Sequence, residues 1–181
     1  MIEVVTYLDF LLNEILSRLT AIITAPYVYP HMLWIILPLL LSLLFTEFYF
    51  SRYTYEELGW GSAFGNALVL IFVSLDLLRY LYGQGFLYVF DLKTILAVCV
   101  AMEGLFLTFI SFFHIMPKEL AFSMYSRFPI NFVAYISVIL VYTDISLDYI
   151  TLLAIILFMV GFYIILKALE VVFPKAIPEL E

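Results

Sequence analysis

Long stretches of apolar side chains with almost no charge dominate this sequence. A helix needs about 20 consecutive, mostly apolar residues to cross the hydrocarbon core of a bilayer, and several stretches here approach or reach that length. A soluble domain carries about 25% charged residues, whereas only 13% of this chain is charged and 66% is hydrophobic. The sequence therefore predicts an all-α integral membrane protein, folded as a polytopic bundle of transmembrane helices.

About five spans are predicted, at residues 31–46, 62–82, 89–115, 128–142 and 147–172. Pro38 inside the first span is expected to kink it. Gly83 is placed to end the second span, and Asp91 is placed to cap the third. The link 143–146 is short, so the last two spans are expected to form an antiparallel hairpin. No repeat or linker divides the chain, and residues 1–181 are predicted to form one membrane domain.

Residues 2–24 have a different pattern from the spans. On a helical wheel, polar side chains fill one half and apolar side chains the other, with Phe10 as the exception. The polar half consists of Glu3, Thr6, Asp9, Asn13, Glu14, Ser17, Arg18 and Thr20. This segment is predicted to be an amphipathic helix lying in the membrane interface, and Ala25-Pro26 and Tyr29-Pro30 are expected to end it. The alternative that it crosses the membrane, which would give six spans, remains open.

The basic residues divide unevenly between the two sides of a five-span bundle. Lys and Arg concentrate in the cytoplasmic loops of membrane proteins. The richer side holds Arg52, Lys118, Arg127, Lys167 and Lys175, and the other side holds Arg18 and Lys93, with Arg79 close to it. We therefore expect a multi-pass protein of the cell membrane with a cytoplasmic C-terminus. The net charge of −7 argues against nucleic acid as a partner, because phosphate binding needs clustered Lys and Arg.

Two charged residues inside the second span are the first candidates for a functional site. Asp76 and Arg79 are three residues apart, so they share a helix face. The same side also carries Ser62, Gly65, Asn66 and Gly83. A charge at the centre of the bilayer costs at least about 2.5–3.5 kcal/mol, so this polar stripe is expected to face other helices. The pair is interpreted either as an ion pair that fixes helix packing or as part of an ion or proton path.

Glu103 is the sharper candidate, because it lies near the middle of the third span with no basic residue within a turn. A carboxyl group at this depth is expected to be neutral at pH 7, which suits a proton carrier and equally suits a hydrogen bond to a neighbouring helix. A stripe of small residues beside it permits a close helix approach, and it consists of Ala97, Ala101, Gly104, Thr108 and Ser111. A buried triad of Glu103 with Asp76 and Arg79 would join the two candidate sites.

No pattern in the sequence predicts a catalytic group, a metal or a cofactor. His114 is a further intramembrane polar residue, but it lies roughly 16 Å along the helix axis from Glu103, so the two do not form a catalytic pair. Cys99, the single cysteine, is interpreted as a packing residue. An intramembrane enzyme is the weakest hypothesis. It would require Glu103 to meet His114, Arg127 or Asp144 around a polar cavity.

The residues favour two functions. The first is a small transporter or channel for protons or small cations, in which Glu103 takes up the ion and Arg79 adjusts its charge state. A cavity or pore at Glu103 would support it. The second is a non-catalytic structural subunit or assembly factor of a larger membrane complex, which predicts packed polar residues and an apolar face that needs a partner. Besides the lipid bilayer, the expected partners are further copies of the chain or other membrane subunits.

Overall fold

Six α-helices make up nearly all of the computed structural model, which describes residues 2–53, 59–86, 91–117, 119–120 and 126–172. They are α1 (Ile2–Val28), α2 (Leu33–Arg52), α3 (Trp60–Gly83), α4 (Leu92–Phe113), α5 (Arg127–Tyr142) and α6 (Tyr149–Val172). A 3₁₀ turn, Pro30–Met32, joins α1 to α2. No strand occurs within these ranges, so the predicted all-α bundle is confirmed.

Four helical segments are long and apolar enough to cross a membrane. They are Pro30–Arg52, Trp60–Gly83, Leu92–Phe113 and Tyr149–Leu169. Helix α5 is equally apolar in character but has only 16 residues, so it is about 24 Å long at 1.5 Å per residue. The five predicted spans therefore all appear as helices, and four of them have full spanning length.

Contacts between helix ends show how the chain runs through the bundle. At one end, which we call end A, Trp34 of α2, Arg79 of α3 and Tyr142 of α5 line one cleft. The amine of Lys93, at the start of α4, lies 3.1 Å from Asp144, which follows α5. End A therefore holds the first residues of α2 and α4 and the last residues of α3 and α5.

The opposite end, end B, holds the complementary set of helix termini. The rings of Trp60, at the start of α3, and His114, after α4, stack with centroids 4.4 Å apart. Arg127, at the start of α5, donates to the backbone oxygen of Thr46 in α2 at 2.8 Å, and it shares a cavity with Lys167 of α6. Helices α2, α4 and α6 therefore run in one direction and α3 and α5 in the other, so α5 and α6 form the predicted antiparallel hairpin.

The basic residues whose contacts the structure describes lie at the ends to which the sequence assigns them, whereas Lys118 and Lys175 lie outside the described residues. Arg127 and Lys167 lie at end B. Arg79 and Lys93 lie at end A, where Arg18 also approaches the Asp148 carboxylate at 3.6 Å. The assignment of end B to the cytoplasm stays a prediction from this charge distribution.

Helix α5 forms the core of the bundle. From Ile130 to Tyr142 every side chain is buried except Val133, which is half-buried. The helix packs against α3, α2 and α4 and also contacts α1 and α6. Other helices surround α5, so its side chains contact protein. Many side chains of α2, α4 and α6, in contrast, are exposed on the outer surface.

Helices α3 and α4 make the closest approach in the bundle, and small residues permit it. Gly104 is buried in α4, and a Cβ atom built on it would lie 3.0 Å from Leu70 Cβ and from both the backbone nitrogen and Cγ1 of Ile71. Ala97 and Ser111, which belong to the same predicted stripe, are also buried. The expectation that this stripe lies at a helix contact is confirmed.

Helix α1 passes the first of its two predicted ends, Ala25-Pro26, and stops before the second, Tyr29-Pro30. It continues through Pro26 to Val28 instead of stopping before the proline, because proline in the last turn removes only one backbone donor and the amide of Tyr29 still donates to Ala25 at 2.8 Å. Ile22 and Ala25 are buried, and α1 packs mainly along α6.

The exposed surface of α1 mixes apolar and polar side chains. Leu8, Leu12 and Leu16 are exposed although they belong to the predicted apolar half, as are Asp9 and Asn13 of the polar half. Packing on α6 therefore uses only one edge of the apolar half. The interfacial position of this helix stays a prediction.

Local signals set most of the other helix ends. The Asp91 carboxylate accepts a 2.7 Å hydrogen bond from the amide of Leu92, so it caps α4 as predicted. Helix α4 is shorter than the predicted 89–115, because this cap starts it at Leu92 and the left-handed backbone of His114 ends it at Phe113. Helix α3 ends at Gly83 as predicted.

Candidate functional site

Asp76 and Arg79 form the expected ion pair, and a third residue completes it. Arg79 Nε donates to Asp76 Oδ1 at 3.2 Å, and a second guanidinium nitrogen contacts the same oxygen. The hydroxyl of Tyr142 on α5 donates to the other oxygen, Oδ2, at 2.8 Å. Both oxygens of the carboxylate are therefore satisfied, one from its own helix and one from the core helix.

The ion pair is oriented with its carboxylate inward and its guanidinium outward. The side chain of Asp76 is 17% exposed, whereas that of Arg79 is 75% exposed. Arg79 lies in the last turns of α3, at end A, and long cationic side chains near helix ends commonly reach toward the aqueous interface. This arrangement fixes α3 to α5 near end A.

A cleft of about 410 Å³ opens above this pair. The rings of Tyr80 and Tyr142 stack on its wall, with centroids 3.9 Å apart and planes inclined by 18°. His31, Trp34 and Gln84 line the remainder. The cleft combines aromatic walls with the cationic group of Arg79, and Arg79 and Tyr142 in its lining are the residues that bind the Asp76 carboxylate.

Most of the rest of the polar stripe on α3 is exposed, contrary to the prediction that the stripe faces other helices. Ser62, Gly65 and Gly83 are exposed, and Asn66 is half-buried. The packed face is an adjacent one and consists of Ala63, Ala67, Leu70, Val73, Ser74, Leu77 and Leu81. Small side chains on that face, together with Gly104 opposite, allow closer packing than the polar stripe would.

Glu103 lies on the outer surface of the bundle. It is midway along α4, roughly 15 Å from either end at 1.5 Å per residue, and its side chain is exposed although its neighbour Gly104 is buried. It makes no hydrogen bond or ion pair within the described part of the chain. The buried triad with Asp76 and Arg79 is therefore not formed, because Arg79 points to end A and pairs with Asp76 and Glu103 faces outward.

The surroundings of Glu103 on the outer face of α4 are apolar. Cys99, Met102 and Phe106, each within about one turn, are all exposed, and Phe109 extends the surface beyond Met102 and Phe106. None of the clefts described for this bundle includes Glu103 among its lining residues. The carboxyl group is thus an isolated polar group on an apolar helix face at mid-span depth.

His114 ends α4 and does not join either polar group. Its backbone has φ 52° and ψ 41°, and its amide donates to the oxygen of Ile110. Its ring stacks on Trp60, with planes inclined by 30°. This residue therefore ties the end of α4 to the start of α3 at end B, away from the level of Glu103.

A second polar cluster, centred on Arg127 at end B, was not among the predicted candidates. Besides its bond to Thr46, the guanidinium of Arg127 lies 3.9 Å from the centre of the Phe50 ring, and its Nε is 4.0 Å from Glu47 Oε1. The Arg127 and Glu47 side chains are only 18% and 14% exposed. Together with Lys167 they line a cavity of about 220 Å³.

Metal-ligating side chains and the groups that an intramembrane enzyme would require do not come together in the described ranges. No group of three or more His, Cys, Asp and Glu side chains comes close enough there to hold a metal ion. Glu103 lies at mid-span, whereas His114 and Arg127 lie at end B and Asp144 lies at end A. The cluster required for an intramembrane enzyme therefore does not form.

The fold and these sites define an integral membrane protein built as a helical bundle. Comparison of the chain with known protein families, with curated proteins and with solved structures finds no match. What the protein does must therefore be argued from its own geometry.

Proposed function

We propose that this chain is a non-catalytic subunit of a membrane assembly and that it joins its neighbour through the outer face of α4. The observation that carries the proposal is the position of Glu103, which is exposed at mid-span without a hydrogen-bonding partner in the described part of the chain. Three other ionisable residues in the helices, Asp76, Arg79 and Arg127, have partners within the chain.

The cost of leaving Glu103 in lipid supports this proposal. A charged side chain at the centre of the bilayer costs at least about 2.5–3.5 kcal/mol, and a neutral carboxyl without a hydrogen bond also carries a penalty. Acidic residues in transmembrane helices therefore almost always face another helix or a wet cavity. Since Glu103 has no hydrogen bond or ion pair in the described part of the chain and lines none of the four clefts described above, a helix from outside the chain is the partner that this proposal gives it.

The side of α4 that adjoins this face is already occupied. Gly104 brings α4 into close contact with Leu70 and Ile71 of α3. Val100 and Leu107, which lie three residues before and four residues after Glu103, are buried as well, so Glu103 lies at the edge of the packed side. The apolar face around Cys99 and Glu103 thus remains available to a partner helix. A single carboxyl group on this face would fix the depth and register of that helix.

The test compares three variants of the full chain in the membrane of its own host, solubilised in mild detergent and separated by native electrophoresis. We expect wild type to migrate above the mass of one chain. We expect Glu103→Leu to shift toward the single-chain position and Glu103→Gln to resemble wild type, because an amide still donates and accepts hydrogen bonds. Met102→Leu, a neutral change on the same face, is the matched control. Unchanged migration of Glu103→Leu would refute this function.

Movement of protons or small cations is the second candidate function, and the geometry of Asp76 favours it. Its half-buried carboxylate is bonded to Tyr142 and Arg79, which both line the cleft at end A. A carboxylate that can exchange between a hydroxyl and an ion is a common element of ion paths through membrane proteins.

A proteoliposome flux assay with pH-sensitive and cation-sensitive dyes separates this candidate from the first. Transport predicts flux in wild type that collapses in Asp76→Asn or in Glu103→Gln. A subunit without transport activity predicts no flux from any variant although all of them fold. Flux that survives both substitutions would exclude these two carboxyl groups from the path.

A further inference from the structure

We infer that the partner of the α4 face is a second copy of this chain, with the two Glu103 carboxyl groups hydrogen-bonded to each other across a two-fold axis. This inference rests on the function proposed above and names the partner. It assigns to Glu103 a role in recognition between copies, with the outer face of α4 as the interface.

The depth of Glu103 is the first argument for a second copy. Copies of one chain insert in the same orientation, so a two-fold axis along the membrane normal relates them and keeps every residue at its own depth. The mid-span carboxyl of one copy therefore meets α4 of the other copy at the level of the same carboxyl. A different membrane protein would need an independent polar group at that depth.

Hydrogen-bond chemistry is the second argument. A carboxylic acid group has one donor and remaining acceptor capacity, so two such groups satisfy each other with two hydrogen bonds and no net charge. The interface needs no basic residue, and the described part of α4 provides none near Glu103, since Lys93 at its start pairs with Asp144. A polar residue at one core position of a helix pair is known to specify register and the number of helices.

The packing of α4 agrees with this arrangement. Cys99 is one turn before Glu103 on the exposed side, and Phe106 is about one turn after it. The small thiol permits a close approach next to the carboxyl pair, because small residues let transmembrane helices come together. Two copies of α4 crossing near this point bring the two Cys99 residues close to each other.

The single cysteine makes the inference directly testable. Purified wild-type chain is reconstituted into liposomes at a high lipid ratio and treated with a short thiol–thiol crosslinker. We expect a covalent dimer through Cys99. The matched control combines Cys99→Ser with Phe72→Cys and so moves the thiol to the exposed face of α3, where the native Phe72 is 64% exposed. We expect no covalent dimer from this control.

Substitution at Glu103 provides the quantitative test, read by single-molecule photobleaching of labelled chains in the same liposomes. Replacing the carboxyl with leucine removes two interhelical hydrogen bonds, so Glu103→Leu should raise the dimer dissociation constant by about tenfold. Glu103→Gln should stay within about threefold of wild type, since amides pair in the same way. Equal dissociation constants for wild type and Glu103→Leu would overturn the inference.

The outcomes also separate this inference from the function on which it rests. If wild type shows single photobleaching steps and no Cys99 crosslink, pairing of copies is wrong. If native electrophoresis still shows an assembly that depends on Glu103, the subunit function stands with a different partner. If neither the dimer dissociation constant nor the electrophoretic migration changes on substitution of Glu103, both the pairing of copies and the proposed subunit function are wrong. A Cys99 dimer that weakens in Glu103→Leu and persists in Glu103→Gln supports both.

Discussion

Replacing Gly104 with alanine should loosen the contact between α3 and α4, and its effect can be worked out from the structure. The new Cβ atom would lie 3.0 Å from Leu70 Cβ, Ile71 Cγ1 and the backbone nitrogen of Ile71. Ordinary contacts between such atoms are about 3.5–4.0 Å. A flexible side chain can rotate away, but a backbone nitrogen and a Cβ atom move only with the helix that carries them.

The expected magnitude follows from two opposing terms. Overpacking by one methyl group in a tight contact costs typically about 1–3 kcal/mol. Alanine also favours a helix over glycine by about 0.8–1.0 kcal/mol. Gly65 and Gly161 are helical glycines at which an added methyl group would meet no atom within 4 Å, so Gly65→Ala and Gly161→Ala receive the second term alone. We therefore expect Gly104→Ala to be less stable than either control by about 1–3 kcal/mol.

The measurement is unfolding in mixed micelles, with SDS added to protein in mild detergent and tryptophan fluorescence followed. Trp60, at the start of α3, is stacked on His114 after α4, so its emission reports separation of these two helices. Gly104→Ala should unfold at a lower SDS fraction than Gly65→Ala. If the two variants unfold together, the packing described for α3 and α4 is wrong. If both are more stable than wild type to the same degree, helix propensity alone acts at Gly104.

Three further predictions concern the caps and the pair at end A. Asp91→Ala removes the cap of α4 and should lower stability in the same assay by about 1 kcal/mol, whereas Asp91→Asn should not, and equal loss in both would contradict capping. Tyr142→Phe removes the hydrogen bond from the hydroxyl to Asp76 and should lower the free energy of unfolding by about 1.5–3 kcal/mol. If Tyr142→Phe destabilises the wild-type chain no more than it destabilises the Asp76→Asn variant, the contact is refuted. The backbone amide of Thr151, which donates to Asp148 at 2.8 Å, lowers the pKa of that carboxyl. The stabilisation from this hydrogen bond is therefore complete above the ordinary Asp pKa of about 3.9 and is lost as the pH falls through the lower pKa of the folded state. When stability is followed during acid titration, Asp148→Asn should lack this part of the loss. Identical titrations of the variant and wild type would contradict the role of Asp148.

The two functions proposed for this chain place different demands on the same residues. An assembly subunit needs Glu103 at an interface and needs the Asp76–Arg79 pair only to hold α3 against α5. A transporter needs Asp76 or Glu103 to exchange an ion with water. The flux assay and native electrophoresis therefore ask separate questions, and a variant such as Glu103→Gln, which keeps hydrogen bonding and removes the exchangeable charge, gives opposite results for the two functions.

Local features of the sequence determined the helices and several of their ends. Long apolar runs predict spanning helices because length and hydropathy are properties of the segment itself. Asp91 and Gly83 mark helix ends through bonds and backbone preferences within a few residues. The Asp76–Arg79 pair follows from a spacing of three residues on one helix. The separation of basic residues between two ends follows from the number of spans between them.

Only the tertiary structure decided which helix faces are inside and which polar groups meet. Tyr142 and Arg127 find their partners across 66 and 81 residues of chain, and no local spacing encodes such contacts. The outward position of Glu103 was equally hidden. In a soluble helix the apolar face marks the inside, but lipid is as apolar as the core, so hydrophobic periodicity does not separate the two faces of a membrane helix. The small residues around Gly104 show where α4 meets protein, and the packing that they permit leaves Glu103 on the outer face.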